Sequence, residues 1–62
     1  MDWQDQYTDT EENRQKFKKM ADSFTWTHGR GYCVVRYNDN TLGVSLKSQA
    51  DAEIIYESDL AR

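Results

Sequence analysis

The sequence predicts an α+β domain: an N-terminal helix packed on one face of an antiparallel β-meander of three or four strands. Three observations predict it. A capping pattern at Thr8-Asp9-Thr10-Glu11 opens a stretch where Asn13, Phe17, Met20, Ala21 and Phe24 recur at helical spacing. From Phe24 the apolar period shortens from 3.6 to 2. Finally, Gly31 to Leu46 (GYCVVRYNDNTLGVSL) sets two apolar runs around Asn38-Asp39-Asn40-Thr41, a turn-forming cluster. A small curled barrel carrying the same N-terminal helix is the alternative architecture.

The chain has 62 residues, which makes it a single domain, 1–62, with an N-terminal arm at 1–7 and a C-terminal tail at 58–62. A chain of this size buries only about 60% of the surface its unfolded form exposes, so its stability is marginal. Cys33 is the only cysteine and His28 the only histidine, so no intrachain disulfide forms and no Cys/His zinc set can be assembled. Good packing or self-association must supply the stability, and eight aromatic residues (Trp3, Tyr7, Phe17, Phe24, Trp26, Tyr32, Tyr37, Tyr56) favour packing.

Taken in order, Trp3 and Tyr7 are four apart, which suits one face of a short helix or an extended arm docked on the body. Thr8 with Glu11, or Asp9 with Glu12, forms a capping box, and the acids of this segment sit at the positive end of the helix. Glu12 and Lys16 form an acid-first i,i+4 ion pair. The helix is expected to end near Asp22 or Ser23. Phe24, Trp26 and His28 then alternate with Thr25 and Thr27 as a first strand, closed by a Gly29-Arg30 type II′ turn. That turn pairs Trp26 with Cys33 and Phe24 with Val35.

With Asp39-Asn40 as a two-residue loop, Tyr37 faces Leu42, Val35 faces Val44 and Cys33 faces Leu46. These six residues would look toward the helix, and Tyr32, Val34 and Arg36 away from it. A slip of one residue would invert the two faces. Lys47–Asp51 is a linker. Ala52–Glu57 reads as a fourth strand, with a short helix over 49–56 as the alternative, and Ser58–Arg62 is a tail anchored by Leu60.

Charge is unevenly distributed. The formal net charge is −3, with −5 over residues 1–12, +5 over 13–47 and −3 over 48–62. An acidic total argues against general nucleic-acid binding. No apolar run reaches the roughly 20 residues of a membrane helix, and the acidic first residues do not read as a signal peptide. A lone cysteine suits a reducing, cytoplasmic setting.

Candidate sites are few. His28 and Cys33 would meet across the turn as a nucleophile pair only if they shared a face, and no oxyanion donor or orienting group accompanies them. His28 and Arg30 beside two glycines form a candidate anion contact. Asp39 between Asn38 and Asn40 reads as a turn, not a calcium site. No metal, cofactor or catalytic residue is expected. The away-facing Tyr32, Val34 and Arg36, with Lys47, form a candidate protein-interaction face, because Tyr and Arg are common interface anchors. Asp2, Asp5, Asp9, Glu11 and Glu12 form a candidate acidic patch able to mimic nucleic acid. The expected function is a small non-enzymatic protein-interaction module. It would be an inhibitor or adaptor acting on a partner protein, or a homodimer subunit. The alternative is single-stranded nucleic-acid binding through Tyr32, Arg36 and Lys47.

Overall fold

The structure, a computed structural model, describes residues 3–59, with side chains described from Asp5 onward. Asp2 of the acidic patch and the Leu60 anchor lie outside the described residues. A single helix, α1 (Glu11–His28), packs on an open three-stranded antiparallel sheet of β1 (Tyr32–Arg36), β2 (Leu42–Leu46) and β3 (Glu53–Glu57). This is the predicted α+β class, and the sheet does not close into a barrel. The strand order is β2-β1-β3, so the third strand returns to the free side of the first. A 3₁₀ turn at Lys47–Gln49 makes that return, and residues 53–57 are strand, not helix.

The helix starts in the expected segment, but one or two residues later than the Thr8–Glu11 and Asp9–Glu12 capping boxes place it, and neither box forms its cap. Thr10 is the N-cap, in extended conformation, and its hydroxyl accepts from the Asn13 amide at 3.2 Å. Asn13 is itself buried. Its side-chain amide donates to the carbonyls of Asp5 and Thr8, each at 2.8 Å, and so ties the arm to the helix. The arm continues along the sheet. Leu42 N–H donates to Tyr7 C=O at 2.7 Å, Asp9 N–H to Asn40 C=O at 2.9 Å, and Thr8 bridges Thr41.

The helix does not stop at Asp22. It runs to His28, so the expected strand at Phe24–His28 and its turn do not form. Phe17, Ala21 and Thr25 are buried at i,i+4 steps on the face that meets the sheet. Gly29, at φ 69°, is the left-handed residue that terminates the helix, and its amide returns to Thr25 C=O at 2.9 Å.

The hairpin forms where expected, but its loop is one residue longer. Asn40 N–H donates to Tyr37 C=O at 3.0 Å, Tyr37 N–H donates to Thr41 C=O at 2.9 Å, and Asn40 has φ 68°. A turn over Tyr37–Asn40 whose last residue is left-handed is the three-residue hairpin loop. Arg36 therefore opposes Leu42, Val35 opposes Gly43, Val34 opposes Val44 and Tyr32 opposes Leu46. The expected pairs were Tyr37–Leu42, Val35–Val44 and Cys33–Leu46, so the slip of one residue turns each β1 side chain to the other face. The core is Phe17, Ala21, Val34 and Leu42, with Tyr32, Val44, Ile55 and Tyr56 packed around it. Cys33 and Val35 are also fully buried, but outside that cluster. A bulge between Val34 and Val35 lets β3 fit an extra residue, Ile55, beside the core.

Candidate interaction surfaces

The surface expected on β1 is not a surface. Val34 is fully buried against α1, and the Tyr32 ring lies 5.5 Å from that of Phe24 on the helix. Lys47 lies on the other side of the sheet, where its ammonium is 3.9 Å from the Glu57 carboxylate opposite Cys33. The four candidate residues do not converge, whether for a protein or for a nucleic-acid base.

Arg36 is committed elsewhere. Its guanidinium donates to Glu53 Oε1 at 2.6 Å and reaches Asp9 Oδ2 at 3.4 Å. Asp9 also accepts from Arg14 through Nε and Nη2, the latter at 2.8 Å, as a two-pronged pair. The hydrogen bonds from Arg14 hold the Asp9 carboxyl below its ordinary value, against the opposing effect of burial, and Arg36 adds to the lowering. The same partners raise both arginines, with Asp9 the main cause for Arg14 and Glu53 the main cause for Arg36. With its side chain only 7% exposed, Asp9 cannot serve an acidic surface patch. Glu11 accepts from Gln15 at 2.9 Å, Glu12 lies 3.7 Å from Lys16, and Asp5 is exposed with its carbonyl on Asn13. The acidic segment thus includes an internal lock, Asp9, that joins the helix to β1.

His28 and Arg30 flank the C-terminal end of α1, where carbonyls rather than amides point outward and the helix dipole disfavours anions. Gly29 is explained by its left-handed angle. His28 and Cys33 are separated by the sheet: His28 stacks 5.8 Å from Tyr32 on the helix side, while the neighbouring residue Cys33 points the other way. Burial pushes the Cys33 thiol up, and Glu57 adds to it. A nucleophile pair does not form.

An unexpected surface lies on one flank of α1. Tyr56 of β3 donates to Asp22 at 2.8 Å and holds Lys18 over its ring at 5.6 Å, so that flank of the helix faces β3. Met20 and Phe24 lie on the opposite flank, which leans over β2. They remain 42% and 37% exposed. Phe24, His28 and Tyr32 form a ring cluster with centroids 5.5 to 6.0 Å apart, and Leu46 is the β2 neighbour of Tyr32. The i,i+4 spacing of Met20, Phe24 and His28 carried this signal in the sequence, but it was masked by reading Phe24 onward as a strand. Trp26, 62% exposed, stands on the helix face away from the sheet.

Among the described residues, a polar depression of about 280 Å³ is lined in part by Arg36 and Glu53, which bond each other. No group of three or more His, Cys, Asp or Glu among the described residues is placed to hold a metal. No described helix is long and apolar enough to cross a membrane. Comparison with family models, curated proteins and solved structures returned no match.

Proposed function

We propose that this chain is a small protein-interaction module of a reducing, cytoplasmic setting, acting by occupying a protein partner. One observation carries the proposal: Met20 and Phe24 stay substantially exposed beside the His28 and Tyr32 rings, although Phe17 and Ala21 of the same helix are buried against the sheet. A contiguous apolar and aromatic patch on so small a domain marks a contact surface. It replaces the β1 face and the acidic patch as the proposed recognition surface, since Val34 and Asp9 are used internally.

The test compares immobilised wild type with Met20→Glu and Phe24→Glu variants in capture from a host lysate, quantified by mass spectrometry. Circular dichroism confirms that each variant keeps its fold. Proteins retained by wild type and lost by both variants support the proposal. Equal capture by all three overturns it.

A further inference from the structure

Next to this patch, the edge of β2 is only partly engaged: the arm bonds it at Leu42, and the Leu46 carbonyl accepts from the Ser45 hydroxyl at 3.1 Å, which leaves its second lone pair. In the β1–β2 pair, Lys47 N–H bonds Gly31 C=O and Tyr37 N–H bonds Thr41 C=O, so the odd-numbered residues of β1 and β2 bond each other. By the alternation of an antiparallel ladder, the backbone groups of Leu42, Val44 and Leu46 point outward. The bond from Leu42 N–H to Tyr7 C=O confirms this direction. The arm covers the edge only there, because it turns into a 3₁₀ helix over Trp3–Gln6. Among the described residues, no backbone partner meets the amides of Val44 and Leu46.

The two sheet edges differ in charge. The β2 sequence LGVSL carries none, whereas β3, EIIYE, has an acid at each end and a bulge. Two copies of a chain with net charge −3 meet with least repulsion along an uncharged edge.

We propose that the partner is a second copy of this chain, joined antiparallel through β2 to form one six-stranded sheet. This rests on reading the chain as a protein-interaction module. Val44 of one copy lies beside Leu46 of the other about a two-fold axis at Ser45, which leaves the Tyr7–Leu42 contact intact. The same axis puts both helices on one face. Because α1 packs on β1 and β2, its axis lies between them. Two strand spacings then separate the helix axes, about 10 Å in all, the distance at which helices pack. The surfaces that meet there are the Met20 and Phe24 flanks.

Sedimentation equilibrium across a concentration series tests the proposal on the full chain. Wild type should approach twice the 7.3 kDa chain mass. Met20→Glu should weaken association roughly tenfold or more. Val44→Pro, which removes an outward amide, should abolish it, while Ile54→Lys on the β3 edge leaves it unchanged. Should Val44→Pro unfold, hydrogen exchange on wild type provides the same readout: the Val44 and Leu46 amides gain protection as concentration rises. A wild type that stays at the single-chain mass at every concentration overturns the dimer, as does a dimer broken by Ile54→Lys alone. Loss of lysate capture in the Met20→Glu variant alongside a monomeric wild type would overturn the dimer while supporting the broader interaction function.

Discussion

The backbone amide of Tyr32 donates to the Thr25 hydroxyl at 3.0 Å, spanning the Gly29-Arg30-Gly31 turn. Thr25 is fully buried and its carbonyl receives the Gly29 amide, so this one residue both ends the helix and starts the sheet. Thr25→Val keeps the shape but leaves the Tyr32 amide without its partner. The expected loss is about 1–3 kcal/mol, the cost of a buried unsatisfied donor. Thr25→Ser should recover most of it. Urea unfolding of the three proteins checks the order.

Val34 distinguishes the observed register from its one-residue neighbour. Val34→Ala should cost about 2 kcal/mol, from two buried carbon groups and the cavity they leave. Val34→Asp should abolish folding, because an unpaired carboxylate in the core costs several kcal/mol against a marginal total. Circular dichroism reads both. A folded Val34→Asp protein would mean that Val34 faces solvent.

The Asp9 lock should appear as a pH dependence. Its folded pKa is lowered from 3.8, chiefly by hydrogen bonds from Arg14. The contribution is therefore complete above the unfolded value and lost as pH falls through the lower folded value. Asp9→Asn should destabilise the protein at pH 7. The difference from wild type should close on acidification below the ordinary carboxylate range. Urea midpoints measured from neutral to strongly acidic pH test this, and a pH-independent difference would contradict it.

Among the described residues, Gly29 and Asn40 hold left-handed backbone. Gly29→Ala should cost roughly 1–2 kcal/mol. Apart from Gly29 and its two chain neighbours, no atom lies within 4 Å of the added carbon, so the cost comes from the left-handed backbone itself and not from packing against the rest of the protein. Asn40→Val should cost a similar amount, while Asn40→Gly should be at least neutral. Thermal melts of the three variants are the measurement.

Cys33 should resist alkylation in the native protein. It is fully buried, and burial raises its thiol pKa, so little thiolate is present or accessible. Labelling should follow unfolding, and the labelling rate under increasing denaturant checks it.

The helix start was legible to within two residues because capping is local, but several capping residues in a row (Thr8, Asp9, Thr10) compete, and the cap that forms joins Thr10 to Asn13 instead of Thr8 to Glu11 or Asp9 to Glu12. The three later apolar segments were legible for the same reason, as short runs bounded by turn residues. The end of the helix was not. Thr25-Trp26-Thr27 satisfies a strand pattern, and only the burial of Thr25 beneath Tyr32, with Gly29 at a positive φ, makes it helical. The apolar flank of Met20, Phe24 and His28 was hidden by the same ambiguity. The Asp9–Arg36 contact joins residues 27 apart, which no local spacing announces.

By itself, the sequence determined the class, a helix followed by antiparallel strands, because periodicity and caps act over a few neighbouring residues. Tertiary structure decided which side of β1 became the core. A two-residue and a three-residue loop at Asn38-Asp39-Asn40 are both compatible with the turn residues, yet they assign opposite faces to Val34 and Val35. The choice is made where Val34 and Val44 pack with Phe17 and Ala21. That packing removes the expected recognition face and leaves the Met20–Phe24 flank exposed beside the partly engaged edge of β2.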